Sequence, residues 1–359
     1  MSTKALLFDL SLTMKDENAH LLQELSGWLE AHSQRAISPH KVQQHLDLAY
    51  PLERIERYTS TIQYRLANLV QCTVGNNAPS LEAFSEVYQG MLEQQLDRYL
   101  SNQQIQNALA DLSGILIAVN PMLVFRTEHL CSYPIIYVSD ARSSHYLKPS
   151  LHYFAELLAR STLEPDEVLF VHEDSNALQL FHQLGIETWN VRGGKSAGAS
   201  SELLLYPDAV RAQLEANISA LYGLLNDVDH GEWQSILIPN EWTIAQNVAH
   251  LIEKEIYNYR PLILKMLQDS DTFITEYATS LHPAVDPLYK TSPIAMLDHL
   301  LRERTVTVSL LQNLDDGLWE RAFQHSVFGT TTLIEMVYFM AQHDRMHLRQ
   351  ICQLLHICV

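Results

Sequence analysis

Two histidines four residues apart, His343 and His347 in Gln342-His-Asp-Arg-Met-His-Leu-Arg-Gln350, are the residues best placed to do chemistry. On a helix, side chains four apart lie one above the other with about 5–6 Å between their Cβ atoms, so both imidazoles can reach one ion. The apolar stripe of Leu333, Val337 and Met340 continues to Ile351 and Leu354, and steps of three or four along it land on both histidines. They are therefore expected to face a helical interior. Buried imidazoles need polar partners, and a metal ion is the simplest partner that two of them share. Such a pair also arises by chance, so spacing alone leaves a metal site and two ordinary core histidines both open. A second place for chemistry is Asp9, which ends the apolar run Lys4-Ala-Leu-Leu-Phe-Asp9. A carboxylate at the exposed edge of a first strand is placed as a nucleophile able to form an acyl intermediate.

The elements that must position these groups fall into two halves. In the first, apolar runs at Lys4 to Asp9, Gly114 to Val119, Tyr133 to Val138, Glu167 to Val171 and Glu187 to Val191 read as buried strands separated by helical segments. Continuous apolar strands of this kind predict an α/β domain with a doubly wound parallel sheet covered on both faces. About a hundred residues of helical spacing separate the first strand from the second, and a cap inserted at about 15–110 over the sheet's carboxyl edge is expected. In the second half, helices are expected near 208–227, 243–268, 292–314 and 331–355, as an all-α antiparallel four-helix bundle. The aromatic segment 318–329 reads as a structured loop whose following threonines cap the last helix. The Gly/Ser-rich stretch from Arg192 to Ser201 reads as a flexible connector, placing the domains at 1–205 and 206–359.

Composition narrows the function. The chain has 359 residues with 24 Lys and Arg against 42 Asp and Glu, for a net charge of -18 with its 17 histidines neutral. Before and after position 205 the counts are 14 basic with 23 acidic and 10 basic with 19 acidic, so each half carries -9 and the acidity belongs to the whole surface. Nucleic acid and anionic membranes are disfavoured partners, because counterion release from phosphates needs clustered Lys and Arg. No run approaches the roughly 20 apolar residues that span a bilayer, and the first residues lack the apolar core and cleavage site of a secretory signal. Four cysteines, Cys72, Cys131, Cys352 and Cys358, show no metal-type CxxC spacing, which predicts a reduced, cytoplasmic protein.

Along residues 1 to 200, Asp9-Leu-Ser11-Leu-Thr13 resembles the Asp-x-Asp-x-Thr motif of the haloacid dehalogenase-like superfamily. Ile117-Ala-Val119-Asn120-Pro121, Tyr146-Leu-Lys148-Pro149 and His172-Glu173-Asp174-Ser175 are similar to its later motifs in the same order. The resemblance implies Asp9 as nucleophile, Lys148 as its cationic partner, and Glu173 with Asp174 as a Mg²⁺ site. The departures are concentrated at that chemistry. Ser11 replaces the Asp that protonates the leaving group, work a serine near its ordinary pKa does not do. Val119 stands where a Thr or Ser holds the phosphoryl oxygen, and His172-Glu173 replaces Gly-Asp, which fits Mg²⁺ poorly given its demand for near-ideal octahedral geometry. Loss of phosphatase activity is the expectation, and an active phosphatase or dehalogenase using Asp9 is an alternative.

Over about 206–356, Glu241-Trp242-Thr-Ile-Ala-Gln-Asn-Val-Ala-His250-Leu, followed by Thr331-Thr-Leu-Ile-Glu335 and His343-Asp-Arg-Met-His347-Leu-Arg-Gln350, resembles the DinB-like family of metal-binding helical bundles. The resemblance implies a divalent transition metal on His250, His343 and His347 with water completing the shell, frequent dimerisation, and thiol transfer among related activities. Periodicity alone does not single out His250, which shares its helix face with Gln246, Glu253 and Tyr257. Three neutral imidazoles with an open position match catalytic zinc and also suit nickel or iron. Glu253 either orients an imidazole from behind or is a solvated surface charge. His299 and His325 read as surface or loop residues, Cys352 and Cys358 as small core or terminal residues, and Trp233, Trp242 and Trp319 as packing anchors. Tyr64, Tyr88 and Tyr99 fall in the expected cap, and Asp227, Asp229 and Glu232 in a helix-terminal turn. The leading expectation is a metal-dependent transferase or hydrolase acting on a small molecule or thiol, and the alternative is a non-catalytic metal-binding or ligand-sensing protein.

Overall fold

The computed structural model describes residues 3–9, 15–33, 36–40, 42, 79–101, 103–110, 112–118, 135–139, 150–172, 175–190, 194–195, 205–226, 228–268, 273–274 and 292–355. The chain divides into two compact units, one of Met1–Leu157 with Leu163–Glu202, the other of Leu158–Thr162 with Leu203–Val359.

The first unit is built on a sheet of β1 (Ala5–Asp9), β2 (Gly114–Ala118), β3 (Ile135–Ser139), β4 (Val168–His172), β5 (Glu187–Asn190) and β6 (Gly194–Lys195), in the order β3-β2-β1-β4-β5-β6. The first five strands are parallel and β6 is antiparallel to β5. β1 and β2 are buried along their whole length, as their unbroken apolar runs require. Strand succession reverses at β1, where the carboxyl ends of open parallel sheets hold ligands. Asp9 ends β1 opposite Ala118, and His172 ends β4. Helices α1 (Lys15–Ser33), α2 (Leu81–Leu100) and α3 (Gln103–Leu109) lie in the long insertion between β1 and β2, followed later by α4 (Leu151–Ser161), of which 151–157 belong to this unit, and α5 (Ser175–Gln183). The expected connector departs from its reading at Gly194 and Lys195. These two residues pair with Asn190 and Trp189 as a short antiparallel edge strand.

The second unit contains α6 (Pro207–Leu225), α7 (His230–Gln234), α8 (Ile244–Glu253), α9 (Arg260–Gln268), α10 (Pro293–Leu311), α11 (Asp316–Trp319) and α12 (Leu333–Leu354). Between α8 and α9 the helix does not break. Lys254–Tyr259 forms a π-helical turn, so a single helical rod runs from Ile244 to Gln268 with a widened middle. Caps fix the starts: Ser292 accepts from Ala295 N–H, and Thr243 and Thr332 form reciprocal boxes with Gln246 and Glu335. The 318–329 segment departs from the expected loop. It supplies the end of α11 and most of a hairpin of β8 (Ala322–His325) and β9 (Gly329–Thr332), which joins β7 (Phe273–Ile274) in a three-stranded sheet. Gly329, at φ +71°, turns the chain where a side chain would be strained.

The apolar core of this unit comes in two clusters. One gathers Leu221, Val248, Leu251, Leu300 and Ile351, the other Leu214, Ile263, Val308, Val337 and Met340. Between them in register lies a polar layer. Arg304 Nε donates to Glu255 Oε2 at 2.9 Å, Nη1 to Asp344 Oδ2 at 2.6 Å and to the Leu214 carbonyl at 3.1 Å, and Nη2 to Asp344 Oδ1 at 3.1 Å. Asn217 Nδ2 donates to the Ala341 carbonyl at 2.8 Å. Burial would by itself lower the Arg304 pKa, but Asp344 and Glu255 raise it above its ordinary value, so the guanidinium stays charged.

Candidate metal centre

The polar layer borders a site on the same helices. His250 comes from α8, and His343 and His347 from successive turns of α12. Their Nε2 atoms converge: His250 to His343 at 3.4 Å, and His347 to His343 at 3.3 Å. All three ligand atoms lie within 4.8 Å of one another. Two nitrogens bound to a tetrahedral zinc at about 2.0–2.1 Å are roughly 3.3–3.4 Å apart, so both short spacings fit one ion. A single N–H on His343 could satisfy only one of its two neighbours, whereas a cation accepts a lone pair from every ring.

The chain itself sets which nitrogen of His347 is free. Thr243 caps α8, and its carbonyl accepts the Asn247 amide N–H at 3.0 Å. That bond turns the Asn247 carbonyl oxygen toward His347, whose Nδ1 lies 2.8 Å from it. Nδ1 must therefore donate, which leaves the Nε2 lone pair pointing at the other two rings. Trp242, one residue before the cap, stacks on His347 with centroids 5.9 Å apart at 14° and meets His250 edge-on at 5.0 Å. Tyr259, at the end of the π turn, is edge-on to His343 at 5.9 Å. Replacing Asn247 with alanine is expected to weaken binding of divalent metal by about 10–100-fold, as loss of such orienting partners does. Competition titration against a chromogenic chelator measures it, and unchanged affinity would show that His347 needs no orientation.

Burial lowers the pKa of each imidazole. His250 falls to about 3, with His347 and Lys254 adding to the effect of burial. His343 falls to about 3, with His347, His250, Lys254 and Arg304 contributing after burial. His347 falls to about 4, burial and Lys254 outweighing the raising effect of Gln350. All three rings are neutral near pH 7 and ready to ligate. Below about pH 6.5, their ordinary value, the unfolded chain binds protons that the folded unit refuses. Stability is thus complete above pH 6.5 and declines as pH falls toward 3 to 4. Melting of the metal-free protein should shift to lower temperature between about pH 7.5 and 5, with a smaller shift in His343→Ala. Equal shifts in the two proteins would contradict this.

The histidines open onto a cavity of about 610 Å³ whose walls include Trp242, Lys254, Tyr259, Phe328, Phe339 and Gln350. Of the groups expected at the site, His250, His343 and His347 come together. Trp242 departs from its reading as a packing anchor: it is 36% exposed and walls the site, while Trp233 and Trp319 are buried. Glu253 is buried and not a solvated charge, because the helix turns it inward just before the π turn. His325 is likewise buried on β8, where Nδ1 accepts from the Val327 and Phe328 N–H groups and closes the hairpin turn. His299 is partly exposed and lies 3.4 Å from Glu303. Cys352 is buried, and Asp229 caps α7, whose first turn carries Glu232. Asn247 was legible as the residue one turn before His250, but its type carries no metal signal.

In the first unit Asp9 is buried at the end of β1, and His172 is buried and stacked on Phe170 at 5.3 Å and 11°. Ser11, Val119, Lys148, Glu173 and Asp174 lie outside the described residues, as do Tyr64, Asp227, Cys72, Cys131 and Cys358. Tyr88 and Tyr99 lie on α2. No helix among the described residues is long and apolar enough to cross a membrane.

Residues 213–351 match the DinB superfamily. Two solved structures are similar to parts of the chain. One is YfiT from Bacillus subtilis, described as a candidate metal-dependent hydrolase with an unusual four-helix bundle topology. It is 18% identical, covers 46% of this chain and 94% of its own, and has a TM-score of 0.38. The other, a candidate phosphoglycolate phosphatase from Lactobacillus plantarum, is 15% identical over 53% of this chain and 86% of its own, with a TM-score of 0.30. No curated protein matches the chain.

Proposed function

We propose that the second unit is a divalent-metal centre on His250, His343 and His347 that serves transfer or hydrolysis of a small molecule held in the adjoining cavity. The observation that carries this reading is the convergence of three neutral imidazoles, with the Nε2 atoms of His250 and His347 each 3.3–3.4 Å from that of His343, in the segment that matches the DinB superfamily. Zinc, nickel and iron all suit an all-imidazole donor set. When bound, such an ion supplies Lewis acidity, lowering the pKa of a water or thiol and polarising an acceptor oxygen. The chain does the rest. Asn247 holds His347 in one tautomer, Trp242 stacks on the His347 ring, and the adjoining cavity offers room for a reactant beside the triad.

The first unit is proposed to serve folding or interaction, because Ser11, Val119 and Glu173 remove the acid, the phosphoryl contact and the tight Mg²⁺ ligand together. Elemental analysis of the purified chain tests the main reading: about one divalent ion per chain is expected, and substoichiometric metal after incubation with zinc, nickel and iron in turn would end it. A screen for thiol-dependent transfer then separates an enzyme from a metal-binding or ligand-sensing protein.

A further inference from the structure

The cavity beside the histidines differs in charge from the chain that forms it. Overall the protein has 24 basic against 42 acidic residues, yet the charged side chains lining the cavity are Lys254, Lys265 and Glu241, a surplus of one cation. Lys254 opens the π turn, and its ammonium acts on all three imidazoles. Lys265 is tied to the wall by donating to the Phe273 carbonyl at 3.2 Å. Three neutral imidazoles cancel none of a bound ion's charge, so loading would make the cavity more positive still.

The rest of the wall is mixed, with Asn240, Asn258 and Gln350 beside an apolar patch. Phe328, carried on the hairpin turn, packs on Phe339 of α12 with centroids 4.8 Å apart at 58°, and both remain open to solvent, at 43% and 39% exposure. Met346 extends this surface at 47% exposure. Large apolar side chains that line a cavity and keep this much surface open to solvent mark a place where an apolar body is desolvated. The volume, about 610 Å³, falls in the range of roughly 300–1,000 Å³ that holds one small molecule.

We infer that the cavity takes a small amphipathic anion: a carboxylate directed at Lys254 and the three histidines, carried on an aromatic or branched apolar body that lies against Phe328 and Phe339. The inference deepens the proposed metal centre and rests on it for the carboxylate's second partner, but not for the lysine-dependent preference. The probes are 4-phenylbutyrate and its uncharged amide, titrated calorimetrically into the full chain, both metal-free and zinc-loaded. The carboxylate is expected to bind at least fivefold more tightly than the amide, as expected for a partly buried ion pair, with a larger ratio after loading. Lys254→Met, which keeps the aliphatic stem, should bring the metal-free ratio close to one and leave the amide's affinity unchanged. Phe328→Ala, on the hairpin and away from the helices, should weaken both probes by a similar factor. Equal affinity of the two probes, a metal-free ratio that survives Lys254→Met, or binding of neither probe at millimolar concentration would overturn the inference. Failure of zinc to bind while the Lys254-dependent preference persists would instead overturn the metal reading alone.

Discussion

The His343→Ala variant is expected to purify without stoichiometric metal while its helical unit stays folded. His343 is the middle member of the triad, its Nε2 within 3.4 Å of both other Nε2 atoms. In the proposed centre its removal takes away a ligand outright, so the affinity loss should exceed the roughly 10–100-fold that follows loss of an orienting partner. The stability consequence runs the other way. In the metal-free protein His343 Nδ1 has no hydrogen-bond partner among the described residues, and its Nε2 faces two other ring nitrogens. Alanine removes that unsatisfied group, so metal-free melting should be unchanged or slightly higher. Added zinc should raise the melting temperature of the unmodified protein, by an amount equivalent to about 4 kcal/mol at a thousandfold excess over the dissociation constant, and leave the variant unmoved. Equal zinc-induced shifts would show that His343 is not a ligand.

The second large effect is expected at Arg304. Its guanidinium is buried and makes four hydrogen bonds, three of them to the buried carboxylates of Glu255 and Asp344. Arg304→Met keeps much of the side chain's volume and leaves both carboxylates without their cation. Removing one partner from such a group costs about 3–5 kcal/mol, a large share of the roughly 5–15 kcal/mol that holds a domain folded. Arg304→Lys should rescue little, because a point charge does not reproduce a fork that spans two carboxylates. Denaturant titration of the helical unit's transition measures both. A loss below about 1 kcal/mol in Arg304→Met would mean that the carboxylates are neutralised by protons or water.

Much of this architecture is legible in the amino-acid sequence. Uninterrupted apolar runs such as Ala5 to Phe8 and Gly114 to Ala118 have one good home, a sheet covered on both faces, and strands were found at all five sites. His343 and His347 were legible because two periodicities coincided, the i, i+4 pair and the apolar stripe of α12. His250 was visible only through its resemblance to the DinB-like family, since its helical face carries Gln246, Glu253 and Tyr257. The π turn adds a second difficulty farther along the same rod. It inserts a residue's worth of rotation without any compositional mark, burying Glu255 and Tyr259 and leaving Tyr257 half exposed, so a strict 3.6-residue reading of this rod assigns the wrong faces beyond Glu253. The β8–β9 hairpin was missed for a different reason. Its alternation of buried and exposed residues spans only four positions, too few to outweigh the turn-forming composition around it. Asn247 and Trp242 act through a hydrogen bond and a ring face, which spacing does not encode.

The polar layer between the two apolar clusters also settles a choice the apolar residues leave open. Leucine, valine and methionine surfaces are nearly interchangeable, so helices packed through them alone can slide by a turn at little cost, about 5.4 Å along the axis. A slide of that size would carry Asp344 away from Arg304, and with it His343, its neighbour in sequence, out of reach of His250. The buried guanidinium thus works as a key that admits a single vertical alignment of the helices. Exchanging Arg304, Glu255 and Asp344 together for apolar residues would give a bundle as stable or more so that no longer distinguishes the alignment in which its three imidazoles meet.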